Sequence, residues 1–140
     1  MTEFHSSILG NSICSYSSSY DGFVRLYDAR KPLTAMAQVN VEGGVWRVKW
    51  HPDQRRSCDL LTACMHSGFK IVRFSSSIIS TTLLGTQNET DHEGNVIKTF
   101  DKHESLAYGV DWSYSSENES GDSTIASCSF YDHMLHVWEG

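Results

Sequence analysis

The sequence predicts an all-β chain built from repeated four-stranded antiparallel units. Ser, Thr, Val, Ile and aromatic residues, which favour strands, dominate over helix formers, and no amphipathic helical pattern stands out. A strand–turn–strand pattern occurs three times within 140 residues. A second type of strand, in which aromatic and polar residues alternate, precedes the last two copies. A unit that recurs in this way is typical of a repeat architecture with insertions.

The three strand–turn–strand copies are residues 17–28, 63–74 and 128–139, which align without gaps. The alignment matches three turn residues, namely Asp21, Ser67 and Asp132, and three residues of the following strand, namely Tyr27, Arg73 and Trp138. The first turn contains Asp21-Gly22, and Asp-Gly is a strong hairpin signal. Each copy is therefore predicted to be a β-hairpin.

The second type of strand covers residues 45–50 and 107–112. In its first copy Trp46, Val48 and Trp50 alternate with basic residues, the period of a strand with one buried face. The same pattern returns in the second copy, and Pro52 ends the first because proline cannot continue a strand ladder. These strands are predicted to open the second and third units.

The complete unit then has strand a at residues 45–50, b at 60–65, c at 69–74 and d at 96–100. This arrangement predicts a partial β-propeller of about two and a half to three blades, with pieces at about 8–42, 45–100 and 105–140 and insertions at 75–95 and 113–122. The first piece is expected to begin at strand b and the last to stop at strand c. Propellers typically close with four to eight blades, so we expect this chain to need further blades and to be poorly stable or self-associating alone.

Composition excludes several functional classes. A net charge of −6 and a pI of about 5.5 argue against a general nucleic-acid binder. No segment is apolar enough to span a membrane, and the first ten residues do not resemble a signal peptide, so a cytoplasmic protein is expected. The four cysteines (Cys14, Cys58, Cys64 and Cys128) form no C-x-x-C pair, so neither a metal nor a cofactor is predicted, and Cys64 and Cys128 are expected to be buried thiols.

The repeats resemble WD repeats. Tyr131-Asp132 lies in the third turn, and Trp138-Glu139 follows at that family's spacing. The resemblance implies a structural network of His103, Asp132 and Trp138, although Phe130 stands where the family usually has the serine of this network. The middle unit departs further, with Ser67 in place of Asp and Arg73 in place of Trp.

Longer phrases at residues 43–52, 63–71, 106–113 and 128–139 resemble the C-terminal part of diphthine methyl ester hydrolases, WD-repeat proteins of diphthamide biosynthesis. The resemblance implies removal of the methyl ester from methylated diphthine on elongation factor 2, the protein substrate. The alternatives are a non-catalytic WD scaffold that binds proteins, and an inactive fragment of the enzyme.

Ester hydrolysis needs a nucleophile or activated water, a base and donors for the oxyanion. Neither a Gly-x-Ser-x-Gly elbow nor a His-Glu-x-x-His motif occurs. In WD propellers the b–c turns and d–a connections share one face, which here gathers the candidate residues. The catalytic candidates are His66, His133 and Cys64, and the substrate-binding candidates are Trp46, Tyr108, Tyr20, Asp21 and Asp132.

Each candidate also has a structural alternative. His66 and His133 are also consistent with packed turn histidines, and Trp46 and Tyr108 with blade packing. Asp132 and His103 also suit the WD network. In the functional alternative, aromatic and acidic side chains on this face hold the quaternary ammonium of diphthine through cation–π contacts.

Overall fold

The computed structural model describes residues 4–9, 12–18, 20–28, 30–78, 92–114 and 121–140, which form three sheets, antiparallel apart from one short parallel pairing. No helix among these residues is long and apolar enough to cross a membrane. The strands are β1 (Phe4–Leu9), β2 (Ser12–Ser18), β3 (Phe23–Asp28), β4 (Lys31–Asn40), β5 (Arg47–Trp50), β6 (Asp59–Ala63), β7 (Phe69–Arg73), β8 (His92–Glu93), β9 (Asn95–Phe100), β10 (Gly109–Trp112), β11 (Thr124–Cys128) and β12 (Leu135–Glu139), with a 3-10 turn at Gln54–Arg56.

The middle sheet contains the complete unit in the order β5-β6-β7-β9, which is the a–b–c–d order predicted from the repeats. All neighbouring strands in it are antiparallel. Every residue of β6 is buried because the sheet packs on both of its faces. The all-β, partial-propeller prediction is thereby confirmed.

The first sheet corrects the predicted start of the first unit. Its order is β1-β2-β3-β4-β8, and β1 pairs antiparallel with β2, so this unit begins with a strand a near Phe4. The sequence of this segment hid the strand, because its apolar residues Phe4, Ile8 and Leu9 do not alternate with polar ones. A second unforeseen strand, β8, pairs in parallel with β4 inside the predicted 75–95 insertion, of which residues 79–91 lie outside the described part.

The third sheet has three strands in the order β10-β11-β12 among the described residues, which correspond to strands a, b and c. One face packs on the middle sheet, and the other carries Ala126, Cys128, Leu135 and Val137. All four of these side chains are exposed, Leu135 and Val137 at 67% each. On the middle sheet the face that packs on its neighbour carries Leu61, Ala63, Phe69 and Ile71, each 0% exposed.

Two apolar clusters join the sheets. One lies between the first and middle sheets and includes Leu26, Val39, Leu60, Val72 and Phe74. The other lies between the middle and third sheets, where the rings of Phe100 and Trp138 stack 4.7 Å apart at an angle of 2°. The core is therefore made by contacts between sheets, as a repeat protein requires.

The three hairpins differ in length, which corrects the gapless alignment. Ala63 pairs with Phe69 in the second hairpin, whereas Cys128 pairs with Leu135 in the third, one residue farther along. Consequently Leu60 pairs with Val72, while its counterpart Ile125 pairs with Trp138. The counterpart of Trp138 is therefore Val72, and the sequence-based match to Arg73 is wrong.

Arg73 instead belongs to a polar cluster at the end of the middle sheet opposite the b–c turns. The buried Asp59 carboxylate accepts hydrogen bonds from Arg73 Nε at 2.6 Å and from Arg56 Nε at 2.9 Å. Burial raises the pKa of Asp59, but the two arginines outweigh it and lower that pKa overall. Arg56 also donates to the Gly140 carbonyl at 2.9 Å, so the cluster ties the middle sheet to the third.

His51 also joins the middle sheet to the third unit, at the same end as the Asp59 cluster. Its ring lies 4.5 Å from that of Trp112, Nε2 donates to Ser123 Oγ at 2.7 Å, and Nδ1 accepts the Asp53 amide hydrogen at 3.0 Å. Burial, together with the positive charge of Arg56, lowers the pKa of His51 despite the negative charges of Asp59 and Asp53. The neutral imidazole is therefore the form that fits the junction.

Replacing Trp138 by alanine is expected to lower the free energy of unfolding by about 3–5 kcal/mol, because it leaves a cavity beside Phe100. Val137→Ala on the same strand is the control, and its exposed position predicts a change within about 0.5 kcal/mol. Urea denaturation of the purified variants measures both values. Equal losses for the two variants would contradict the packing described for the third sheet.

Lowering the pH below 6.5 is expected to destabilise the chain in part through His51. The pKa of His51 is lowered in the folded state, so the unfolded state binds the proton first, and stability falls from pH 6.5 towards the folded-state pKa. His51→Gln should reduce the fall in melting temperature between pH 7 and pH 5, whereas His66→Gln, at an exposed turn, should not. An unchanged pH dependence in His51→Gln would refute this role.

Candidate functional site

The turn face, defined as the end of the sheets that carries the b–c turns and d–a connections, is organised by a buried polar network in the third unit. His103 Nδ1 donates to Asp132 Oδ2 at 2.8 Å, and its Nε2 lies 3.0 Å from Ser127 Oγ. Trp138 Nε1 donates to the same hydroxyl at 3.2 Å. Because a carboxylate only accepts, Nδ1 carries a proton, and Nε2 shares a second hydrogen bond with the Ser127 hydroxyl.

This geometry corrects the sequence-based account of the hydroxyl. The WD resemblance placed the serine of the network at position 130, which is Phe130 and is 70% exposed. Ser127, on β11, supplies the hydroxyl oxygen instead. His103, Asp132 and Trp138 are thus joined through Ser127. The network ties the d–a connection to both strands of the third hairpin.

The middle unit uses different chemistry for the same connection. Lys70, whose side chain is 5% exposed, donates to the Val41 carbonyl at 2.8 Å and to Glu42 Oε2 at 3.0 Å. Ser67 Oγ, in the turn, donates to the Glu42 carbonyl at 2.9 Å. A lysine and a serine therefore fasten the turn face where the third unit uses histidine, aspartate and tryptophan.

Aromatic rings form a continuous row across the turn face. Tyr20 lies 6.5 Å from Trp46, Trp46 lies 5.1 Å from Tyr108, and Tyr108 lies 6.4 Å from Tyr131. Phe130 extends the row at 5.3 Å from Tyr131, and every pair is edge-on. Tyr20, Trp46, Tyr131 and Phe130 are 41–70% exposed, so this aromatic row presents rings to solvent as well as to one another.

An open pocket of about 810 Å³ lies beside the aromatic row on the third sheet. Its lining combines aromatic, thiol, hydroxyl, imidazole and guanidinium groups: Trp46, Arg47, Tyr108, Gly109, Cys128, Ser129, Phe130, Tyr131, His133, Met134 and Leu135. Gly109 is needed here because an added Cβ would lie 2.6 Å from Cys128 Sγ. The third turn reaches over the pocket with His133 in a left-handed conformation at φ 55°.

The structure separates the three catalytic candidates. His133 lines the pocket, whereas His66 is exposed in the second turn and is not part of the lining. Cys64 is fully buried, and burial raises the pKa of its thiol to about 11. A thiol that is both shielded and protonated at neutral pH is a poor nucleophile, so the geometry argues against Cys64 in that role.

The substrate-binding candidates also divide. Tyr20, Trp46 and Tyr108 belong to the aromatic row. Asp21 accepts the Phe23 amide hydrogen at 3.1 Å and pairs with Arg25 at 2.7 Å, which fixes the first turn. Asp132, with 6% of its side chain exposed, accepts from the Met134 amide as well as from His103, so its carboxylate faces the fold.

Among the pocket residues that were not site candidates in the sequence are a thiol and a hydroxyl. Cys128 was expected to be buried with Cys64 but is exposed, because it lies on the uncovered face of β11. Ser129, at the start of the third turn, was not considered. Successive residues of a strand point to opposite faces, so the buried Ser127 implies that the next residue, Cys128, points to the uncovered face. This alternation could have revealed the exposed thiol.

A second pocket, of about 310 Å³, lies near the opposite end and includes Arg56, Arg73 and Lys98. Both arginines are engaged by Asp59 there, and no sequence-predicted site residue lines it. The described residues contain no group of three or more His, Cys, Asp or Glu placed to hold a metal ion.

Comparison with known proteins matches residues 94–139 to the WD domain, G-beta repeat family, which corresponds to β9 and the third sheet. The chain is 38% identical over 125 residues to "Diphthine methyltransferase homolog" of Dictyostelium discoideum, covering 86% of this chain and 30% of that protein. The "Diphthine methyltransferase" of Homo sapiens is 39% identical over 98 residues, covering 70% of this chain and 19% of the human protein. Most of this chain is therefore similar to one part of the proteins named diphthine methyltransferase, and its last unit matches the WD repeat.

The yeast "Diphthine methyltransferase" of Saccharomyces cerevisiae adds a more distant relative, 32% identical over 141 residues and covering 87% of this chain and 31% of that protein. The resemblance seen in the sequence phrases is thereby confirmed. The chain spans between a fifth and a third of the length of the relatives it matches.

Thiol accessibility tests the separation of the cysteines. Iodoacetamide should alkylate Cys128 in the native chain at neutral pH, whereas Cys64 should react only after denaturation because it is buried and protonated. Peptide mapping by mass spectrometry reads both sites in one sample. Equal native labelling of Cys64 and Cys128 would contradict the placement of the two strands.

Proposed function

We propose that this chain forms part of the substrate site of a diphthamide-biosynthesis protein that removes the methyl ester from methylated diphthine on elongation factor 2. The homology to proteins named diphthine methyltransferase supports the biosynthetic role. The aromatic row is the observation that carries the substrate assignment. Exposed indole and phenol rings in a series attract a quaternary ammonium, the group that diphthine presents.

The third turn supports a role for His133 as the general base. It lines the pocket beside the row, where an imidazole can accept a proton from an attacking water. Water then adds to the ester carbonyl, methanol leaves, and the free carboxylate of diphthine remains. We further propose that this occurs in the cytoplasm, where elongation factor 2 acts.

The name of these relatives describes methyl transfer, which is a different reaction from ester hydrolysis. Hydrolysis releases one methanol per ester and needs no methyl donor, whereas transfer consumes a donor. Incubation with methylated elongation factor 2, with and without a methyl donor, distinguishes the two reactions. Methanol released without a donor supports the proposal, and methylation that depends on the donor overturns it.

WD repeats commonly bind proteins, so an interaction scaffold is the second candidate. The uncovered apolar face of the third sheet favours it. Retention of elongation factor 2 without methanol release would identify a binding role and exclude catalysis by this chain.

Trp46→Leu is expected to lower kcat/KM for methanol release about tenfold, because it removes the indole ring that joins Tyr20 to Tyr108 in the aromatic row. Tyr114→Leu is the matched control, since Tyr114 is 77% exposed and lies outside both the row and the pocket.

His133→Ala should lower kcat by about 100-fold or more if His133 is the base, whereas His66→Ala should retain activity. Loss with His66→Ala and not with His133→Ala would reverse the assignment.

A further inference from the structure

The uncovered face of the third sheet has the same place in its unit as a face that the middle sheet buries. Val137 is in the third pair from the turn of its hairpin, as Ile71 is in the middle sheet. Ile71 is 0% exposed because the third sheet packs on it, whereas Val137 is 67% exposed. We call this the trailing face of a unit, the face towards the following unit. It is covered on the middle sheet and open on the third.

The opposite face of each unit, which we call the leading face, packs on the unit before it. Trp138 is in the fourth pair from its turn, and Val72 is in the fourth pair of the middle hairpin. Trp138 is buried against the middle sheet, and Val72 is buried against the first. Both junctions between the described sheets therefore place a leading face on a trailing face.

The first sheet offers one more leading face. Tyr27 is in the fourth pair from the first turn, so it is the counterpart of Val72 and Trp138. Val24 and Leu26 are buried against the middle sheet, whereas Tyr27 alternates with them on the other face and is half-buried. The three described sheets leave this leading face without a neighbouring sheet. It is the same kind of surface that covers a trailing face at both junctions.

The number of units decides how the two open faces meet. Propellers typically close with about four to eight blades, so the three described units of one chain are too few to bring its own open faces together. Two copies supply about six units, which lies inside that range, and three copies supply about nine, which lies outside it. A two-fold axis makes the trailing-to-leading contact twice and so closes the ring.

We propose that two copies of this chain associate head to tail, with the trailing face of each third unit packed on the leading face of the other copy's first unit. Apolar side chains support this pairing, since Leu135 and Val137 meet a face that carries Phe23 and Tyr27. The contact continues the packing that is already made twice within the chain. This inference goes beyond the proposed function and does not depend on it, because no substrate takes part.

Sedimentation velocity of the purified chain, with a reductant present to exclude a Cys128 disulfide, tests the assembly. The mass should rise from 15.8 kDa towards twice that value between about 1 and about 200 µM, and should stop there because the ring is closed. Alkylation of Cys128 by iodoacetamide provides a second measurement. Cys128 is exposed in the dilute monomer, and its alkylation should slow at least about threefold over the same range because association covers it, as Ala63 is covered within the chain.

Two variants separate head-to-tail association from other contacts. Val137→Glu places a charge on the trailing face and Tyr27→Glu places one on the leading face, and each should lower the association constant at least about tenfold. The matched control is Tyr114→Glu, at a residue that is 77% exposed and outside the described strands, and it should associate like the native chain. Far-ultraviolet circular dichroism establishes that the variants are folded.

A native chain that stays at 15.8 kDa throughout the series overturns the proposal and leaves the trailing face to a different partner. Growth beyond a dimer overturns it as well, because the ring then does not close. Normal association of folded Tyr27→Glu also contradicts it, since the third units would then meet face to face. The concentration series on the native chain stands even if a variant does not fold.

Discussion

Packing of the middle sheet between two neighbours is the constraint on which the rest of the structure depends. A single four-stranded sheet has two faces to bury and no core of its own, so each unit is stabilised by contact with the next. This requirement explains why β6 is buried at every position, and why Trp138 stacks on a ring contributed by the previous unit. It also places the functional surface, because the turn face exists only where adjacent units are held in register.

Two polar solutions hold that register at the turn face. In the third unit the His103 imidazole is held between a carboxylate and a hydroxyl, whereas in the middle unit the Lys70 side chain donates to a carbonyl and a carboxylate. Both satisfy buried polar groups and fasten a d–a connection to a hairpin. At the opposite end the Asp59 cluster and His51 link the middle sheet to the third unit, so the contact between these two units is closed at both ends.

Much of this arrangement could be predicted from residue patterns. The alternation of Trp46, Val48 and Trp50 and the recurring turns were sufficient for the order of the middle sheet. Strand β1 was missed because its apolar residues, Phe4, Ile8 and Leu9, do not follow the alternating pattern of a half-buried strand. The extra residue in the third hairpin was missed because a gapless alignment cannot detect a change in the spacing across a turn. Ser127 and Ser129 were missed because many serines occur here, and only burial and geometry distinguish them.

The close approach of Gly109 to Cys128 links two positions that are distant in sequence. An added Cβ at residue 109 would meet the sulfur at 2.6 Å, so a larger residue on β10 requires a smaller one on β11. Both residues line the pocket beside the aromatic row. The two positions are therefore expected to change together among related chains, and a glycine at the first should accompany a side chain of thiol size at the second.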